Sequence, residues 1–121
     1  VAATDGQGQA LPLQDGPVVP DWGGDRAGKP GKAFAKVLRD LNSGQEPTAA
    51  YWNPTIIVDD NRIPAFGVDT SVYEFVAPPA GTVNVEATLI FRRAFWELMQ
   101  SKRWDTLDIV MEQETQDIVI P

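Results

Sequence analysis

Apolar and polar residues alternate most regularly towards the carboxyl-terminal end of the chain. Within residues 82–92, apolar side chains occupy every second position until Ile90 interrupts the pattern. A period of two residues over this length predicts a β-strand that buries one face. Residues 108–120 have apolar residues at both ends and a polar centre at residues 112–116. We expect this segment to return beside the first strand as its antiparallel partner.

Shorter segments predict the rest of the fold. Residues 33–39, 51–58 and 71–76 contain β-branched and aromatic residues and are separated by turn sequences, which favours strands. In residues 93–102, apolar side chains instead recur at intervals of three and four, which predicts a helix of two to three turns. Several short strands with one short helix predict an all-β fold, an antiparallel β-sandwich of the immunoglobulin-like type.

The first 32 residues differ in composition from the remainder. They contain seven of the ten glycines and four of the ten prolines, which predicts a long extended segment. We expect this segment to pack on, or complete, a sandwich domain formed by residues 33–121. The strand-like start at Val1, without a methionine, suggests that an upstream neighbour has been removed.

Composition narrows the possible functions. The chain has 17 acidic and 10 basic residues, a net charge of −7 that opposes binding to nucleic acid. It has no histidine and no cysteine, which excludes Ser-His-Asp and Cys-His catalysis, zinc sites with nitrogen or sulfur ligands, and Cys-x-x-Cys-His haem attachment within this sequence. Its apolar runs are too short for a membrane helix, so membrane insertion is not expected. The sequence singles out no pair of carboxylates for acid and base catalysis, and enzymatic activity is not expected.

Three groups of residues are candidates for specific roles. Aromatic residues in loop-like contexts are candidate partner contacts, because aromatic side chains are enriched at interfaces: Trp22, Tyr51 and Trp52. Arg62 follows an acidic pair and precedes a proline, so Asp60, Arg62 and Pro64 are interpreted as a structural clamp. Asp15, Asp21 and Asp25 offer oxygen ligands of the kind that calcium prefers, but their spacing matches no EF-hand and solvated carboxylates explain them more simply.

Residues 31–115 resemble the C-terminal region of bacterial multihaem c-type cytochromes. The resemblance depends on ordered motifs, namely Gly31–Asp40, Tyr51-Trp52, Asp59–Pro64, Asp69–Phe75, Val83–Arg93, Trp104-Asp105 and Asp108–Glu112. The most specific of these is the Asp-x-Arg-Ile-Pro turn at residues 60–64. In that family a β-sandwich follows an upstream segment that contains the haem-binding motifs.

The resemblance implies a non-catalytic scaffold or interaction domain, or a separate subunit, of an extracytoplasmic multihaem cytochrome electron-transfer assembly. This chain would bind no cofactor itself, and haem c would belong to its partner, a haem-bearing cytochrome polypeptide, or to an upstream segment. The expected location is the periplasm, the cell surface or the extracellular space. The alternative interpretation is an extracellular β-sandwich module that binds carbohydrate through its aromatic residues or calcium through its acidic loops.

Overall fold

The computed structural model describes residues 1–106 and 108–121 and consists mainly of antiparallel β-strands. The strands are β1 (Ala2–Thr4), β2 (Leu13–Asp15), β3 (Lys36–Asp40), β4 (Thr55–Asp60), β5 (Glu74–Phe75), β6 (Gly81–Phe91) and β7 (Ile109–Ile120). The helical elements are a 3-10 helix (Asp21–Arg26), which is kinked at Gly24, and the short helix α1 (Trp96–Ser101). The expected all-β fold is therefore confirmed.

The described strands form three small antiparallel sheets. The largest has the order β1-β6-β7, with β6 in the centre and β7 along one edge. β6 and β7 pair along their full length, from Gly81 opposite Ile120 to Phe91 opposite Ile109. The other two sheets are the pairs β2-β5 and β3-β4. The return of β7 beside β6 confirms the pairing that the alternating pattern predicted.

The N-terminal segment takes part in the sheets. β1 pairs with residues 84–86 of β6, and β2 pairs with β5. Residues 21–26, which the glycine content had indicated to be extended, instead form the 3-10 helix. This helix is stabilised by contacts with the region around α1, so its formation depends on residues that lie far away in sequence.

Helix α1 is shorter than its sequence pattern predicts. It contains six residues, and Phe95 immediately before it is extended, with φ −57° and ψ 144°. Phe95 packs edge to face on Trp22 of the 3-10 helix, with ring centroids 5.4 Å apart. The first part of the predicted helix is therefore used for tertiary contacts with the 3-10 helix.

The buried core is small for a chain of this length. In the described part of the chain, the buried apolar residues are Ala3, Val37, Val83 and Met99. The accessible surface is 8701 Å², whereas a compact monomer of this mass has about 6,400 Å². In the part of the chain that is described, the structure contains no helix long and apolar enough to cross a membrane.

Candidate interaction surface

The edge strand β7 is the most exposed element of the largest sheet. Every residue from Ile109 to Val119 is exposed, and only Ile120 is partly covered. Apolar side chains lie at both ends of the strand, and Val119 retains 75% of its accessible surface. Leu89 and Phe91 on the neighbouring strand β6 are also about half exposed, at 51% and 52%. Exposed apolar side chains therefore lie at the two ends of the β6-β7 pair, with the polar centre of β7, residues 112–117, between them.

An apolar hollow opens at one end of the β6-β7 pair. Its volume is about 360 Å³, and it is lined by apolar residues of the N-terminal segment, the chain around β5, and strands β6 and β7. Val83 faces Ile118 across the pair of long strands, so both side chains lie on the sheet face that forms the hollow. The hollow therefore lies between this end of the β6-β7 pair and the chain around β5.

Tyr51 and Trp52 form a second exposed aromatic group, in the turn before β4. Tyr51 is 87% exposed and Trp52 is 70% exposed. Their rings lie edge to face, with centroids 5.1 Å apart and an interplanar angle of 78°. Both side chains are therefore accessible to a partner.

The buried carboxylate of Asp40 fixes the turn that carries these two aromatic residues. Its Oδ2 accepts a hydrogen bond of 2.7 Å from the Asn53 side chain, and its Oδ1 accepts one of 2.7 Å from the backbone N–H of Asn42. These hydrogen bonds, mainly the one from Asn53, lower the pKa of Asp40 below its ordinary value. Asp40 therefore joins the loop after β3 to the turn before β4.

We expect Asp40→Asn to lower the thermal midpoint of unfolding and to increase the mobility of the Tyr51-Trp52 turn. An amide at this position retains the size of the side chain but presents an N–H group where the carboxylate accepted hydrogen bonds. Thermal unfolding by circular dichroism measures the change. Asp59→Asn on the adjacent strand, where the carboxylate is exposed, is the matched control. Equal midpoints for the two variants would contradict the role of Asp40.

The third aromatic candidate, Trp22, is placed differently. It lies within the 3-10 helix, is partly buried, and packs on Phe95. Its ring therefore contributes to internal packing, whereas Tyr51 and Trp52 point outward. The structure brings Tyr51 and Trp52 together and gives Trp22 a separate environment.

Arg92, at the end of β6, connects the 3-10 helix to the start of β7. Its guanidinium donates two hydrogen bonds of 2.8 Å to the carboxylate of Asp108 and one of 2.7 Å to Asp25. It also donates to the carbonyl oxygen of Gly23 and lies 5.1 Å from the centre of the Trp96 ring. The side chain is only 16% exposed, so these contacts are largely shielded from solvent.

The charges at this junction alter one another's protonation equilibria. The hydrogen bonds from Arg92 lower the pKa of Asp108, and Arg26 adds a contact of 3.1 Å to the same carboxylate. The pKa of Arg92 is raised, chiefly by Asp108, so the guanidinium stays charged at every ordinary pH. We call Arg92, Asp25, Asp108 and Arg26 the arginine junction.

The three aspartates considered for calcium are not brought together. Asp25 accepts a hydrogen bond from Arg92, whereas Asp15 is exposed on β2 and Asp21 begins the 3-10 helix. Across residues 1–106 and 108–121, no group of three or more acidic side chains is arranged to hold a metal ion.

The Asp60 to Pro64 segment forms a compact local structure on the surface. Arg62 donates to both carboxylate oxygens of Asp60, each at 2.7 Å, and this contact lowers the pKa of Asp60. The carbonyl of Pro64 then accepts a hydrogen bond from the N–H of Gly67, which closes a turn. Phe66 lies in this turn with φ 63° and its side chain fully exposed.

Two structural features, the arginine junction and the exposed edge of β7, were not predicted from the sequence. The arginine junction joins residues up to 83 positions apart, which no local pattern reveals. The exposed edge of β7 depends on strand order, although its alternating apolar ends were visible in the sequence.

Comparisons of the chain with protein-family models, curated proteins and solved structures give no match.

Proposed function

We propose that this chain is a non-catalytic interaction domain or subunit of an extracytoplasmic multihaem c-type cytochrome assembly, in which it packs against the haem-bearing polypeptide. The assembly would function in electron transfer in the periplasm or at the cell surface. The chain would contribute a rigid apolar wall that limits solvent access to the haems, which is one way in which a protein adjusts haem reduction potential.

The observation that carries the proposal is the exposure of apolar side chains at both ends of the β6-β7 pair. The accessible surface exceeds that of a compact monomer by about 2,300 Å². A standard protein interface buries about 800 Å² on each partner. The excess belongs to the chain as a whole and is large enough for a full interface, to which the exposed apolar ends of β7 contribute.

The sequence resemblance and the arrangement of the sheets support the haem-bearing partner and the sandwich fold in the proposal. The sequence resemblance over residues 31–115 supports a haem-bearing partner. The three small antiparallel sheets are compatible with an immunoglobulin-like sandwich in which a partner covers the exposed face of β6 and β7. In this arrangement the hollow beside β5 would form part of the contact.

The shifted carboxylates support a structural role for the charged residues. Asp40, Asp60 and Asp108 have lowered pKa values because each accepts hydrogen bonds from nearby donors. A general acid needs the opposite shift, towards neutrality. The shifts therefore fit structural contacts, which at Asp40 and Asp108 join separate segments of the chain and at Asp60 are local.

The proposal is tested by purifying the assembly that contains this chain from its native source. We expect a polypeptide with Cys-x-x-Cys-His motifs to co-purify, or peptides of this chain to continue upstream into such motifs. Intact mass and visible absorbance then locate the haem. Haem should be covalently attached to the motif-bearing segment and give its Soret band there.

Two results would overturn the proposal. The first is a Soret band from a purified chain that consists of these 121 residues alone. The second is purification without any haem protein under conditions that preserve assemblies, with a mature N-terminus at Val1. The second result would favour the alternative described next.

Exposure of the Tyr51-Trp52 pair favours a second candidate, a carbohydrate-binding module, because flat aromatic faces pack on sugar rings. The test is sedimentation of the chain with insoluble cellulose and chitin. The alternative requires binding that is lost in Trp52→Ala and retained in Phe66→Ala, which removes another exposed aromatic side chain. The primary proposal predicts that the unmodified chain stays in the supernatant.

A further inference from the structure

The outer edge of β7 offers backbone hydrogen-bonding groups over an unusual length. The strand has twelve residues, so the edge is roughly 40 Å long. One side of β7 pairs with β6, and no other strand in the described residues pairs with it. Alternate N–H and C=O groups of β7 are therefore directed away from the sheet, where they are available to another strand.

β7 also has few of the features that protect strand edges in monomeric proteins. Natural edge strands are usually short, or they carry lysine or proline. β7 is long, contains neither residue, and ends with three consecutive apolar residues on each side, Ile109-Val110-Met111 and Ile118-Val119-Ile120. Its register shift lies close to one end, near Met111, and leaves the centre regular.

The centre of β7 is acidic, and this determines which strand fits the edge. Glu112, Glu114 and Asp117 lie between the apolar ends, without a basic residue among them. An antiparallel second copy centred on the same edge would place Glu112 opposite Asp117, and like charges in directly opposed positions destabilise strand pairing. Self-pairing is therefore opposed by charge, whereas a strand with a basic centre is favoured.

We propose that the edge of β7 binds an extended segment of a partner polypeptide, about ten to twelve residues long, with lysine or arginine at its centre and apolar residues at its ends. Binding adds a strand to the β1-β6-β7 sheet. Backbone hydrogen bonds hold the segment, and the acidic centre of β7 selects its charge and register. This inference rests on the proposed function, because it specifies the segment of the partner that the interaction domain recognises.

The probe is a synthetic peptide, Val-Thr-Ile-Thr-Lys-Val-Lys-Thr-Lys-Ile-Thr-Val, with a control peptide in which glutamate replaces the three lysines. Hydrogen exchange of the full chain measures protection of the β7 amides, and calorimetry measures affinity. We expect the lysine peptide to protect alternate amides of β7. The glutamate peptide should bind at least about tenfold more weakly, because the two lysines that lie opposite Glu112 and Glu114 are replaced by like charges.

A charge-reversal variant identifies the site. Glu112→Lys together with Glu114→Lys should weaken binding of the lysine peptide and strengthen that of the glutamate peptide. The matched control is Asp59→Lys with Glu74→Lys, which changes the net charge equally on exposed positions of β4 and β5. The control should retain the original preference, because its charges lie outside β7.

Several outcomes would overturn the inference. They are equal effects of the two double variants, absence of peptide binding, protection confined to other strands, and concentration-dependent protection of β7 with dimer formation by the chain alone. These outcomes are separable from failure of the proposed function. Peptide binding to β7 without a co-purifying haem protein would contradict the cytochrome assembly and leave the edge inference standing, whereas the reverse pattern would contradict only the edge inference.

Discussion

Arg92→Ala is expected to lower the free energy of unfolding by about 3 kcal/mol, because it leaves Asp108 partly buried without its main cationic partner. Arg92 is 16% exposed and Asp108 is 15% exposed, so solvent replaces the lost contacts only in part. The same substitution removes the hydrogen bond to the carbonyl of Gly23 and separates the 3-10 helix from β6. Urea denaturation followed by circular dichroism measures the loss.

Arg62→Ala is the matched control for this prediction. Arg62 also forms a bidentate pair with an aspartate, but that pair is exposed and local in sequence. Exposed ion pairs contribute little to stability, so we expect a small change. Equal destabilisation by the two substitutions would show that the arginine junction has no special role in holding the fold.

The arginine junction also makes the free energy of unfolding depend on pH. The pKa of Asp108 is lower in the folded chain than its ordinary value of 3.8, so the folded state favours the ionised carboxylate. Its stabilising contribution is present above pH 3.8 and is lost as the pH falls through the lower folded pKa. Arg92 remains charged throughout. We therefore expect Asp108→Asn to be less stable than the unmodified chain near neutral pH and to lose less stability on acidification.

Gly24→Ala is expected to lower the free energy of unfolding by about 3 kcal/mol, as much as Arg92→Ala. Gly24 has φ 66°, and a Cβ atom built there would lie 2.1 Å from Cγ of Trp96. The Trp96 ring cannot move away freely because Arg92 stacks on it. The added methyl group would therefore force apart the 3-10 helix and α1, and thermal unfolding would report the loss.

Gly28→Ala separates the two causes of the destabilisation expected for Gly24→Ala, which are the backbone conformation and the steric clash. Gly28 also has a positive φ, 76°, but a Cβ atom there would meet nothing within 4 Å. We expect a loss of only about 1 kcal/mol, from the backbone conformation alone. In addition, Trp96→Ala should cost less in the Gly24→Ala background than in the unmodified chain, because it removes the clash. Equal losses at the two glycines would contradict the close contact with Trp96.

The two long strands were predictable because their signal is local. The alternation in residues 82–92 corresponds to β6, observed at Gly81–Phe91, and the pattern in residues 108–120 corresponds to β7, observed at Ile109–Ile120. A strand has a period of two residues, so its two alternating faces are visible directly in the sequence. The expected burial of the apolar face is seen only at Val83, because Leu89 and Phe91 are exposed. Their antiparallel pairing followed from the same reasoning.

Other elements depended on contacts that the sequence does not display. The 3-10 helix lies in a glycine-rich stretch and is held by Arg92, Phe95 and Trp96 from the other end of the chain. Helix α1 begins later than its periodicity suggests because Phe95 is used to pack on Trp22. Among the aromatic candidates, composition alone could not distinguish the partly buried Trp22 from the exposed Tyr51 and Trp52.

The sequence by itself determined the all-β character, the two long strands, and the lack of histidine and cysteine chemistry, because these depend on composition and on side-chain alternation within one segment. Tertiary structure decided which strand lies at the sheet edge, which aromatic residues are accessible, and which charges meet at Arg92. Each of these requires residues distant in the chain to be brought together. The exposed edge of β7 depends on both the sequence and the tertiary structure. The sequence supplies its apolar ends and acidic centre, and the strand order leaves its outer side unpaired.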